Sequence, residues 1–184
     1  MAVIVITPPE PLVDLNETKQ WLRVDHADDD GLIAGLIAAV QSHIDGPDGV
    51  LGRALGTQIL EYGLDRFHGH HIELPCPPVI SIESVTYTGQ AGSDVAWAAG
   101  WRLYDAGLER WSLAPLYGGS WPSVRYDRRS VRIRYRAGYE TLPAAVPLAV
   151  KRMVAHLYDN RASAPADAMK AVAAELGHLK IYRV

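Results

Sequence analysis

The chain has 184 residues, 48% of them hydrophobic and 21% charged, with a formal net charge of −3. This is globular composition near the upper end of one ordinary domain; it excludes disordered and collagen-like classes, and the single cysteine excludes an internal disulfide. A mild negative charge also argues against a protein held on nucleic acid by bulk electrostatics.

In residues 1–13, Pro8, Pro9 and Pro11 lack backbone donors and disfavour a helix, so the start reads as an extended arm. No basic stretch precedes Val3–Ile6, so the start resembles no signal peptide and a cytoplasmic product is expected. Asp14, with Glu17 three residues on, has the spacing of a capping box and predicts a helix to about Val24. Asp28, Asp29 and Asp30 follow, where a helix beginning near Gly31 exposes unpaired amides and a positive dipole end; capping explains three adjacent carboxylates better than a metal does. Leu32, Ile33, Leu36, Ile37, Val40 and Ile44 recur at the steps of one buried helical stripe, and Gly46-Pro47 ends it. The uncharged run Gly31–Ile44 contains Gln41, Ser42 and His43 and falls short of the roughly 18 apolar residues a membrane span demands. A further turn over Val50–Leu55 is closed by Gly56.

Strand signals then take over. Thr57–Phe67 and Val79–Thr88 alternate, short strands are predicted around Trp101–Tyr104 and Glu109–Ala114, and Ser130–Arg136 alternates Val131, Ile133 and Tyr135 with Arg132, Arg134 and Arg136. Helical spacing returns in Val146, Val150, Met153, Val154, Leu157 and Tyr158, to about residue 161. Pro165 breaks the pattern, a last helix spans about Asp167–Leu176, and His178–Val184 forms a tail whose Leu179, Ile181, Tyr182 and Val184 have no periodic partner. The order of periodicities predicts an α+β fold. Its expected form is a mainly helical bundle, with N- and C-terminal helices packed together and a small antiparallel sheet or barrel-like subdomain inserted. The expected divisions are 1–56 for the arm and first helices, 57–140 for the β insert, and 141–184 for the closing helices and tail.

No catalytic cluster emerges, and neither a cofactor nor a metal is expected. Cys76 lies between prolines without a positioned base. His68, His70 and His71 have no recognised ligand spacing with Asp65, Glu73 or Cys76. A hydrolase would draw its paired carboxylates from Asp65, Glu73 and Glu83, or from Asp105 and Glu109, and their spacing fixes no mutual distance. A DNA-binding regulator would read bases with the second helix, yet Gly31–Ile44 lacks Arg and Lys. The strongest charge asymmetry is Arg125, Arg128, Arg129, Arg132, Arg134 and Arg136, six of the 18 basic residues. Trp111 and Trp121 read as core or hinge aromatics rather than binding hot spots.

The residues also carry a resemblance. Leu12-Val13-Asp14-Leu15 with Lys19, Leu22-Arg23-Val24-Asp25, Asp28-Asp29-Asp30, Leu32-Ile33, Gly52-Arg53-Ala54-Leu55 and Leu64-Asp65-Arg66-Phe67 form its opening. Leu74-Pro75 with Pro77-Pro78, Ser84-Val85-Thr86-Tyr87, Tyr117-Gly118 with Ser120-Trp121-Pro122, the Val131–Tyr135 strand with Ala137-Gly138-Tyr139, Val146-Pro147, His156-Leu157-Tyr158 with Asn160-Arg161, and Tyr182-Arg183-Val184 continue it. The ordered series resembles the head–tail connector (adaptor) proteins of tailed bacteriophages, prophages and gene transfer agents over nearly the whole chain. It departs at residues 162–180, where an Ala-rich stretch stands in place of the family's Pro/Gly-bearing one.

The resemblance implies a non-enzymatic structural protein of the virion neck, made in the bacterial host cytoplasm. Its implied partners are further copies in a cyclic ring of about twelve, the portal protein, a stopper or tail-completion protein, and DNA passing transiently through the channel, with no membrane. Arg132, Arg134 and Arg136 read first as a solvated face pairing with acidic neighbours; under the resemblance they are also candidates for a subunit interface or the DNA channel, as are Asp28, Asp29 and Asp30. Leu179, Ile181, Tyr182, Arg183 and Val184 are candidates for a tail that docks on the portal.

Overall fold

The computed structural model describes residues 2–98, 100–107, 109–160 and 165–181. The chain divides into two compact units, each built from two separated segments: Met1–Pro8 with Thr57–Gly138, and Pro9–Gly56 with Tyr139–Val184.

Among the described residues, every regular element of the first unit is a strand. Its five-stranded sheet contains β1 (Ala2–Thr7), β2 (Gln58–Leu64), β8 (Val131–Ala137), β4 (Val79–Thr88) and β5 (Asp94–Ala96), in that spatial order, and every neighbouring pair is antiparallel. A second sheet of three strands runs in the order β3 (Ile72–Glu73), β7 (Trp111–Pro115), β6 (Trp101–Asp105). The period of two puts Val131, Ile133, Tyr135 and Ala137 on one face of β8, all fully buried. Leu60 and Leu64 of β2, Val79 and Val85 of β4, Ile72 of β3 and Leu113 of β7 are buried in the same unit. Each aliphatic side chain of this kind contributes about 1.5–3 kcal/mol by leaving water. Tyr135 is wholly buried, and its hydroxyl donates to Pro75 O at 2.6 Å, which satisfies the polar end of the ring.

The second unit packs α1 (Leu15–Leu22), α2 (Asp30–Ile44), α3 (Ala145–Asp159) and α4 (Pro165–Glu175), followed by a short 3-10 turn at Gly177–Leu179. Its core joins Leu12, Val13, Ile33, Ile37, Val40, Ile44, Leu51 and Leu55 to Val146, Val150, Met153, Val154, Val172 and Leu176. Asp14 caps α1, its Oδ1 accepting from the amides of Asn16 at 2.8 Å and Glu17 at 3.1 Å. Gln41, nine-tenths buried on α2, holds the segment entering this unit: it accepts from Leu12 N at 3.0 Å and donates to Glu10 O at 3.1 Å.

One expectation is overturned. The chain is not mainly helical: 28% is helix and about 26% strand, a mixed α+β fold with two antiparallel sheets. Three of the strands carry almost no alternation and so leave no period-two signal in the sequence. The proline-flanked arm pairs with β2 as β1 and is apolar at successive positions, β5 is three exposed residues, and β3 is two residues long.

Candidate functional site

The arginine face of the five-stranded sheet is the most strongly patterned surface in the chain. Because successive side chains of β8 alternate, burial of Val131, Ile133 and Tyr135 turns Arg132, Arg134 and Arg136 to the opposite side. The register then places a carboxylate within reach of each. Arg132 Nη2 lies 2.5 Å from Asp94 Oδ2, Arg134 Nη2 lies 2.9 Å from Glu61 Oε2, and Arg136 Nη2 lies 3.4 Å from Glu83 Oε1. The guanidiniums remain 31%, 45% and 47% exposed, so they are paired without being withdrawn from solvent. The hydrogen bond from Arg132 holds Asp94 below the usual aspartate range.

Glu61 is the hub. It is buried, and its second oxygen takes Arg129 Nη2 at 3.2 Å. Arg129 reaches it from a left-handed backbone (φ 54°) whose amide donates to Asp65 Oδ1 at 3.0 Å. The Arg129 side chain crosses Gly63, where a Cβ would stand 2.8 Å from Arg129 Nε. A glycine inside a strand normally weakens it; here it leaves room for the guanidinium to cross.

Asp28, Asp29 and Asp30 belong to the helical unit, where Asp29 and Asp30 tie α2 to other helices. Asp30 Oδ1 is 2.5 Å from Lys19 Nζ, Asp29 Oδ2 accepts from the Tyr158 hydroxyl, and Asp28, almost fully exposed, lies 3.8 Å from His26 Nδ1. Asp29 occupies the N-cap position of α2 but makes no side-chain cap bond, because its carboxylate is turned to Tyr158. Side-chain capping, as read from the sequence, is thus replaced by tertiary links.

In the tail, Leu179 packs against the helical core and Ile181 N donates to Leu51 O at 2.9 Å. Tyr182, Arg183 and Val184 lie outside the described residues.

Asp65, Glu73, Glu83 and Asp105, four of the five carboxylates on which a hydrolase would draw, are held in structural contacts. Glu73 holds Arg110 at 2.7 Å, Glu83 holds Arg136, Asp65 takes the Arg129 amide, and Asp105 takes Gly107 N at 2.8 Å. The open cleft of about 350 Å³ beside Gly69, His70, Arg102, Tyr117 and Trp121 is lined by no carboxylate. His68, His70 and His71 are exposed, and among the described residues no group of three metal-binding side chains converges. The exposed positions of α2 are Gly31, Leu32, Ala34, Gly35, Ala38, Ala39 and Ser42, which offer a base edge no cation. Among the described residues, no helix is long and apolar enough to cross a membrane.

No family model matches the chain, and no curated protein matches it. Solved structures do. A chain of the neck of an empty gene transfer agent (GTA) particle, computed with C6 symmetry, superposes with a TM-score of 0.78 and 25% identity, covering 100% of this chain and 97% of that one. The fold is that of a GTA neck chain. A chain of the virion of a native GTA particle gives a TM-score of 0.74 at 24% identity, and one from the neck of a native GTA particle, computed with C12 symmetry, gives 0.72 at 24%. Both matches cover 100% of this chain and 97% of the other.

Within this GTA-neck fold, the sequence located the arginines but missed Glu61, Asp94 and Glu83 as their partners. Charge clustering identifies a strand's polar face, whereas partner choice depends on register between segments far apart in the chain. Gln41 was missed as well. Its signal was present: a polar residue at a stripe position of an otherwise apolar helix.

Proposed function

We propose that this chain is a structural protein of a virion neck, one copy of a cyclic ring that sits between portal and stopper or tail and extends the DNA channel during head completion and head–tail joining. The observation that carries the reading is the end-to-end likeness to a GTA neck chain, with 100% and 97% of the two chains covered at a TM-score of 0.78. Neighbours from particles computed with C6 and C12 symmetry are consistent with a ring assembly. The charge distribution is compatible with a conduit. A sheet face whose arginines already hold carboxylates of the same chain releases few counterions to a passing duplex, so DNA can slide past it.

In this reading Arg132, Arg134 and Arg136, with Asp28, Asp29 and Asp30, are the candidates for contacts with a neighbouring copy or with DNA. The tail residues Leu179, Ile181, Tyr182, Arg183 and Val184 are the candidates for docking on the portal. No catalytic step is assigned.

Sedimentation velocity over a wide concentration range, with negative-stain images of the fast species, tests the proposal. Annular particles with an open centre are the expected result, formed by the protein alone or on a cognate portal ring. A protein that stays monomeric and also fails to bind that portal would remove the reading.

A further inference from the structure

Among the described residues the two sheets have four free edges, and three of them are guarded. β3 is two residues long and carries Glu73; β5 is three residues long and carries Asp94; β6 carries Arg102 and Asp105. Shortness and charge are the devices by which sheets keep foreign strands from pairing with them. β1 has neither. Its six residues, Ala2 to Thr7, contain no charge and no proline, and four are β-branched and aliphatic. Among the described residues it pairs on one side only, with β2, and Ala2 to Val5 keep an unbroken register; the irregularity between Val5 and Thr7 is confined to its end. Ile4, Val5 and Ile6 are 38%, 43% and 39% exposed, apolar on both faces of the sheet.

We infer that the open edge of β1 is a contact between copies, where an extended segment of a second copy of this chain adds a strand to the five-stranded sheet. An uncharged edge with unspent amides and carbonyls fits an apolar strand, which supplies both the missing hydrogen bonds and cover for Ile4, Val5 and Ile6. A second copy as occupant rests on the ring reading above. In a cyclic assembly each copy meets its neighbours through two different complementary surfaces, and a long, uncharged strand edge that the chain itself does not pair is a surface of the kind another copy can complete. β1 is such an edge, and its guarded counterparts are not.

The test combines sedimentation velocity with hydrogen exchange of the full-length protein at matched low and high concentration, followed by mass spectrometry of the peptide covering residues 2–13. The expected result is a faster-sedimenting species in which the β1 amides exchange at least tenfold more slowly than in the monomer. Val5→Lys removes both effects, and the neutral Val5→Thr, which keeps strand propensity, preserves them. A protein monomeric throughout, or an oligomer whose β1 amides exchange at the monomer rate, overturns the inference. Rings with an unprotected β1 would remove the edge contact and leave the ring reading standing. A β1-protected species that is not annular would keep the edge contact and count against the ring.

Discussion

Glu61 stands directly opposite Arg134 across the β2–β8 pair, and its carboxylate takes that guanidinium with one oxygen and Arg129 with the other. The acid is buried while both bases are nearly half exposed, so the two sides of the contact are unequal. Glu61→Ala strips two guanidiniums of their partner and is expected to cost about 1–2 kcal/mol, less than a fully buried pair because water reaches both bases. Arg134→Ala leaves Glu61 bound to Arg129 and costs about 0.5 kcal/mol or less. Urea denaturation of the two variants measures the asymmetry; equal losses would show that Glu61 is not the hub.

Asp94 supplies a pH dependence with a definite sign. The hydrogen bond from Arg132 lowers its folded-state pKa, and Thr88 adds a second, smaller one. A depressed carboxylate pKa contributes stability that is complete above the ordinary aspartate value and fades as pH falls through the lower, folded-state value. Arg132→Ala should therefore move the Asp94 titration upward, toward the ordinary range, in a carboxyl-detected NMR experiment, with titrations away from this contact unchanged.

Asp45 follows α2 and turns its carboxylate onto two buried amides, Leu55 N at 2.7 Å and Gly56 N at 3.3 Å. Asp45→Ala removes this acceptor from both and is expected to cost about 2–4 kcal/mol. Asp45→Asn keeps one acceptor oxygen and should cost about half as much. Thermal unfolding followed at a helical wavelength checks the order of the three proteins.

Trp121 stacks on Phe67 with ring centroids 4.8 Å apart, touches Trp97 at 5.6 Å, and donates from its indole to Gly69 O at 2.7 Å. Trp121→Phe keeps the stack, loses the hydrogen bond and should cost about 1 kcal/mol. Trp121→Ala loses both, about 2–3 kcal/mol, with a change in the Trp97 emission spectrum.

Much of the architecture was legible in local pattern. Val79–Thr88 is a strand over its predicted length, Val131–Tyr135 alternates as read, and α2 and α3 bury most of their predicted stripes, with Leu36, Leu157 and Tyr158 partly buried and Leu32 facing solvent. Illegible features depend on distant neighbours. Ala2–Thr7 looks like a proline-marked arm until β2 is beside it, and nothing local assigns Asp94 to Arg132 or Glu61 to two arginines at once. The exposed apolar character of β1 was visible as composition, but its place at a sheet edge was not.

Both units interleave along the chain, since each takes one segment from before Gly56 or Pro8 and one from well beyond it. During synthesis the helices before Gly56 must therefore wait, with Ile33, Ile37 and Val40 uncovered, until the entire strand block has emerged and Val150 and Val154 arrive. The wait is thermodynamically cheap, about 0.6 kcal/mol for each doubling of the separation, but it is slow, because contacts between distant residues set the folding rate. A half-made chain can thus close its sheets before its helical core exists, and the part of that core built on Val150 and Val154 is the last to form.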